Sequence, residues 1–159
     1  MNLDRTFFIT TVTRQRTPLF RSQPKAELMM DVLLRYREQM RYVLHEFVIM
    51  PDHLHLLLTP GADISLERAL QLITGGFSYR LGKAKTGLIW QESFTNHRIR
   101  DEHDYERHAG YIRMNPVRAR LWRGRRCIRI RRRAPGSEEE CSEEEQRTSK
   151  AVRFKAGIS

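Results

Sequence analysis

The segment Arg5–Thr13 (RTFFITTVT) concentrates β-branched and aromatic residues and predicts a strand. Pro18 and Pro24 interrupt the chain after it, and a helix fits Pro24–Met40. There Leu28, Val32 and Tyr36 recur every four residues, with Met29, Leu33 and Met40 beside them. Arg41–Met50 predicts a second strand, with Val43, Phe47 and Ile49 on one face. Pro51-Asp52 makes a turn, His53–Thr59 a third strand, and Pro60-Gly61 its stop. Ser65 is a good N-cap for a second helix, whose apolar stripe is Leu66, Leu70, Ile73, Phe77 and Leu81. Leu88–Arg100 reads as extended, anchored by Trp90, Phe94 and Ile99. Asp101 then caps a third helix to about Met114, limited by Pro116.

The order is β-α-β-β-α-β-α. Two β-α-β halves joined by a short turn predict an α+β, ferredoxin-like (split β-α-β) fold. Its antiparallel sheet carries helices on one face, leaves the other face free to bind, and is followed by a C-terminal helix.

Past Leu121 the periodicity ends. Residues 122–159 alternate blocks of like charge, the pattern of a disordered tail, so the reading is a domain at 1–121 plus a basic and acidic tail. The 159 residues carry a net charge of +10, shared equally between the two parts, and most of the cations are arginine. A phosphate-backbone partner fits that balance, although a GC-rich genome also enriches arginine. No apolar run reaches the ~18 residues of a spanning helix, and Met1–Thr13 lacks a signal-peptide layout. The expectation is a cytoplasmic, nucleoid-associated protein without a membrane partner, a monomer or homodimer. The two cysteines, Cys127 and Cys141, give neither a disulfide framework nor zinc spacing.

Three features carry candidate chemistry. His53 and His55 stand two apart in a strand and so project from one side of the sheet, with Leu54, Leu56 and Leu58 on the other. Paired imidazoles suit a metal, but two histidines do not complete a site, and a hydrogen-bonded surface pair is the plainer reading. Tyr111 lies off the Tyr105, Ala109 and Ile112 stripe of the third helix. It is aligned with Arg107 and His108 before it and Asn115 after it. A phenol is a nucleophile when a cation or metal assists it, and otherwise an ordinary boundary tyrosine. Asn115 offers an amide oxygen, or simply ends the helix. Among the other histidines, His45, His103 and His108 read as solvated or capping, and His97 as near enough to approach the site. Asp52 reads as a polar turn residue able to orient a neighbouring imidazole.

Together, MPDHLHLLLTP (Met50–Pro60), WQESFTNHRIRD (Trp90–Asp101) and YIRMNPVRARL (Tyr111–Leu121) resemble the REP-associated tyrosine transposases. These belong to the single-tyrosine HUH enzymes, named for the His-hydrophobic-His pair. The resemblance spans about residues 5–121. It implies a ferredoxin-like catalytic domain whose C-terminal helix carries Tyr111 as nucleophile. His53, His55 and Asn115 become ligands of Mg2+ or Mn2+, and mixed imidazole and oxygen ligands favour manganese. It implies nicking and strand transfer of single-stranded DNA at palindromic hairpins through a 5′-phosphotyrosine. Arg14, Arg16, Lys83, Lys85, Arg98 and Arg100 become candidate phosphate contacts. Arg107 becomes a candidate to favour the Tyr111 phenolate or grip a flanking phosphate. The alternative is a non-catalytic single-stranded nucleic-acid-binding protein on the same fold, although no RNP-type aromatic motif stands on the predicted strands. A small zinc hydrolase comes third, for want of a third strong ligand at convincing spacing.

The tail departs from the resemblance. Relatives continue with a stretch resembling YPYSSA where this chain has Cys127–Arg133 (CIRIRRR). One choice of synonymous codons for CIRIRRR reads YPYSSA in another frame. This predicts a frameshift near Leu121, the alternative being a divergent basic tail that binds DNA. The carried-over site residues all precede the break.

Overall fold

A computed structural model describes residues 3–82 and 89–118, with side chains to Asn115. Lys83, Lys85 and the tail from 122 onward, with its frameshift reading, lie outside the described residues.

The observed order is β1 (Phe7–Val12), α1 (Gln23–Glu38), β2 (Tyr42–Ile49), β3 (His53–Pro60), α2 (Leu66–Arg80), β4 (Thr95–Arg98) and α3 (Glu102–Arg118). Short 3-10 turns at Arg14–Arg16 and Leu19–Arg21 lie between β1 and α1. The four strands form one antiparallel sheet in the order β2-β3-β1-β4. This is the split β-α-β arrangement that the sequence pattern predicts.

Strand alternation sorts the side chains onto two faces. Ile9, Leu44, Phe47, Ile49, Leu54, Leu56 and Leu58 meet Met29, Val32 and Leu33 of α1 and Leu70, Ile73 and Phe77 of α2 in the larger core. Ser65 caps α2 as predicted, its hydroxyl accepting from the Arg68 amide at 3.1 Å. Gly76 gives up helix propensity for proximity, because a Cβ there would stand 2.8 Å from the Tyr36 ring.

The opposite face holds a smaller core of Val48, Met50, Leu57, Ile99, Ala109 and Ile112, backed by Leu3, Phe8 and Tyr105. The sequence pattern predicts that this face is free; in the structure α3 lies across part of it. The Tyr105, Ala109 and Ile112 stripe is the side that α3 buries.

Several local expectations need correction. A bulge between Leu44 and Glu46 inverts the alternation in β2, so Leu44 rather than Val43 joins Phe47 and Ile49 in the larger core. Met40 lies past the end of α1 with φ 57° and is exposed, so it is no part of the α1 stripe. The extended segment narrows to β4, preceded by a single bridge between Thr13 and Trp90. Pro116 does not limit α3, which runs on to Arg118. Proline removes one amide and disfavours helical geometry in its predecessor, and here neither effect prevents the last turn.

Candidate active site

β3 places His53 and His55 on the α3 face, as the two-residue period requires. Their Nε2 atoms stand 3.1 Å apart. Each Nδ1 is engaged by the protein: that of His53 with Asp52 Oδ1 at 2.6 Å, that of His55 with Thr10 Oγ1 at 2.8 Å. Both outer nitrogens are therefore spoken for, and both inner nitrogens converge on one point. Two ligands about 2.1 Å from an octahedral divalent ion, at right angles, are about 3.0 Å apart. The pair therefore fits such an ion.

Asp52 thus does more than polarise a turn. Burial opposes its ionisation, but hydrogen bonds and charge from His53 and Arg16 outweigh this and hold its carboxyl below the usual range. Burial first, and then the neighbouring His53, push the His55 imidazole down to about 4, with Asp52 opposing. His55 is accordingly neutral at pH 7, the form that ligates metals.

α3 brings Tyr111 to the pair. Its ring meets the His55 ring edge-on at 5.3 Å between centroids, and the Phe8 ring at 5.8 Å. Tyr111 remains 42% exposed, open to a macromolecular substrate. Because α3 continues unbroken, Asn115 follows Tyr111 by one turn on the same side of the helix.

The predicted DNA contacts are not gathered at this centre, and Arg98 pairs with Phe7, whose side chain packs on the opposite face of the sheet. Arg16 pairs with Asp52 at 3.3 Å, and Arg14 adjoins it in the same 3-10 turn. Arg98 donates to the Asp4 carbonyl at 2.8 Å, and Arg100 is exposed beyond β4. Arg107 donates from Nη2 to Asp104 Oδ1 at 2.6 Å and is otherwise largely exposed.

Sequence reasoning missed one cluster and misread its members. Asp104 is buried and gathers His97 Nε2 at 2.7 Å, the Arg100 amide at 3.2 Å and Arg107. His108 Nδ1 lies 3.3 Å from Asp104 Oδ1 and 2.8 Å from the Asp104 carbonyl. Burial opposes the ionisation of Asp104, yet the hydrogen bonds of His97, Arg100 and Arg107 bring its carboxyl down to about 2. His108 is therefore neither solvated nor a cap. His45 is also buried, its Nε2 2.8 Å from Thr59 Oγ1. The four-residue spacing of Asp104 and His108 was the available signal; the approach of His97 came only with strand pairing.

The geometry has counterparts. The family model described as "Transposase IS200 like" matches residues 5–115. A REP-associated tyrosine transposase of Escherichia coli K12 is 26% identical over 113 residues, 70% of this chain and 66% of the relative. The chain thus spans just under two thirds of that relative's length. A putative REP-associated tyrosine transposase of Haemophilus influenzae is 28% identical over 127 residues, 70% of each chain. Among solved structures, a REP-associated tyrosine transposase bound to a REP hairpin matches with TM-score 0.62 and 26% identity. That match covers 73% of this chain and 68% of the other. A putative transposase of Deinococcus radiodurans R1 shares the fold, at TM-score 0.51 and 21% identity over 68% of this chain and 88% of the other.

Proposed function

This chain belongs to the IS200-like transposase family, alongside REP-associated tyrosine transposases. From that premise we propose that it nicks and rejoins single-stranded DNA at palindromic hairpins through Tyr111. The single observation that carries the proposal is the convergence of Tyr111 on the His53–His55 pair, whose Nε2 atoms stand 3.1 Å apart. A histidine pair on one strand and a helix residue distant in sequence meet on the α3 face of the sheet, where His55 is buried and Tyr111 exposed.

His53 and His55 would hold a divalent ion, with Asn115 completing the set from α3. Manganese suits the mixed donors at least as well as magnesium. When bound, the ion supplies charge neutralisation at the scissile phosphate. The Asp52 carboxylate, which can only accept, places the His53 proton on Nδ1, and the Thr10 hydroxyl orients the His55 ring so that the two Nε2 atoms face each other.

The remaining steps belong to the chain. Tyr111 Oη attacks phosphorus in line and gives up its proton. The new bond is tyrosine oxygen to phosphorus; the bond broken is phosphorus to the 3′ oxygen, which leaves as a hydroxyl after taking up a proton. The 5′ phosphate stays on Tyr111. The phosphodiester is exchanged rather than hydrolysed, so another 3′-hydroxyl reverses the step without an external energy source. One tyrosine serves one strand at a time, which favours single-stranded substrates. Arg14, Arg16, Arg98 and Arg100, with Lys83 and Lys85, are the proposed phosphate contacts along the strand.

The test mixes the protein with labelled single-stranded DNA carrying a palindromic repeat, with Mn2+ or Mg2+. A denaturant-resistant protein–DNA adduct is expected, lost in Tyr111→Phe and with chelator. An adduct that persists in Tyr111→Phe rejects the assignment. Hairpin binding without any adduct, in the presence of either ion, favours the non-catalytic binding protein.

A further inference from the structure

The cluster of His97, Asp104 and His108 takes no part in the proposed reaction. It lies on the α3 face, beyond Phe8 from the His53–His55 pair. Phe8 is the common neighbour: its ring lies 4.7 Å from His108, 5.5 Å from His55 and 5.8 Å from Tyr111. The His97 and His108 rings stack at 4.7 Å with 22° between planes. One ligand atom from each of the three residues falls within 4.8 Å of the others.

We infer that His97, Asp104 and His108 form a second binding site, for a zinc-like divalent transition ion, that clamps β4 to the helix carrying Tyr111. The donor set, two imidazoles and one carboxylate, suits borderline ions such as zinc and cobalt. Tetrahedral ligands about 2.1 Å from an ion are about 3.4 Å apart. The 3.3 Å from His108 Nδ1 to Asp104 Oδ1 is close to that edge, and the 2.7 Å hydrogen bond from His97 Nε2 to Asp104 Oδ2 opens on loading. The ion takes the place of the proton that now bridges His97 and Asp104.

Loading has identifiable costs. It releases the hydrogen bond between His108 Nδ1 and the Asp104 carbonyl, and it draws the imidazoles together. Arg107 keeps its hold on Asp104 Oδ1, so the carboxylate stays oriented although part of its charge is shared. A cavity of about 240 Å³ opens beside His97, Asp104 and His103, leaving room for water to complete the coordination.

The consequence is positional. His97 comes from β4, while Asp104 and His108 come from the first half of α3. An ion joining them fixes the helix against the sheet one turn before Tyr111.

This inference goes beyond the proposed reaction and is tested apart from it. The full chain carrying His53→Gln and His55→Gln is stripped of metal and titrated with CoCl2, reading the ligand-field absorption. One equivalent with a cobalt band is expected, and adding His97→Gln should weaken it about tenfold or more. His97 is the ligand to change, because it is half-exposed whereas Asp104 is buried. As a second readout, ZnCl2 should raise the thermal midpoint of the double variant but not of the triple variant. Absence of a band in the double variant, or a band that His97→Gln leaves intact, overturns the clamp. A wild-type protein whose one equivalent vanishes with His53→Gln and His55→Gln overturns the clamp and leaves the first site standing. A wild-type protein whose one equivalent survives those changes but not His97→Gln upholds the clamp and counts against the first site.

Discussion

Thr10 is a small residue with a measurable task. Its hydroxyl lies 2.8 Å from His55 Nδ1, and the His55 side chain is almost wholly buried. For Nε2 to face an ion, Nδ1 must carry the proton and donate it to Thr10 Oγ1. Thr10→Val keeps the shape and the β-branching, and the backbone pairing of Thr10 with His55 and Thr95 is untouched. What is lost is the acceptor. A buried donor left without a partner costs about 1–3 kcal/mol. At about 1.4 kcal/mol per decade, that corresponds to roughly 5- to 150-fold, and loss of an outer partner of a ligating histidine typically weakens metal binding about 10- to 100-fold. The assay is calorimetric titration with MnCl2 in a His97→Gln background, so that only the His53–His55 site is filled. Thr10→Val should bind at least tenfold more weakly, while Thr10→Ser, which keeps the hydroxyl, should stay near the parent. Equal affinity in Thr10→Val and its parent would refute the reasoning, because His55 would then be oriented by something other than this hydrogen bond.

Two further predictions concern how α3 is held. Arg113 donates to the buried Glu46 Oε1 from Nε at 3.1 Å and Nη2 at 2.8 Å, so Arg113→Ala should destabilise by about 3–5 kcal/mol in urea unfolding. Adding Glu46→Leu should recover much of that loss, and failure to recover would show that the buried carboxylate is not its source. Ile112 is fully buried in the smaller core, so Ile112→Ala should cost about 2–5 kcal/mol. Hydrogen exchange should then show α3 opening before the central strands β1 and β3; uniform opening of helix and sheet would contradict a separately anchored helix.

The elements were legible wherever one period dominated. The α2 stripe and its Ser65 cap are both found, as are the three strands read from Arg5–Thr13, Arg41–Met50 and His53–Thr59. The failures lie where a tertiary contact overrides local preference. The β2 bulge is one: consecutive residues His45 and Glu46 both turn toward α3, where His45 meets Tyr105 and Glu46 meets Arg113. Alternation read along the strand alone misses this and puts Val43 in the wrong layer. Pro116 is a different failure, an ordinary stop signal that the backbone of α3 passes through.

The site divides in the same way. That His53 and His55 share a face follows from the two-residue period of a strand, and that Tyr111 stands off the buried stripe follows from the 3.6-residue period of a helix. Both are properties of the local chain. The expectation that they act together came from the resemblance of three motifs, since no periodicity relates residue 55 to residue 111.

Their meeting is tertiary. It depends on α3 crossing the face opposite α1 and α2, with Ile112 and Ala109 packed over Leu57 and Val48. The assignments of Thr10 to His55 and of His97 to Asp104 also wait on pairing between strands, whereas Asp52 reaches His53 as its neighbour in the chain. Sequence alone fixes which side of its own element a residue takes, because backbone geometry repeats at short range. Which elements then face one another is decided by burial of apolar area summed over the whole domain, and no local window contains that sum.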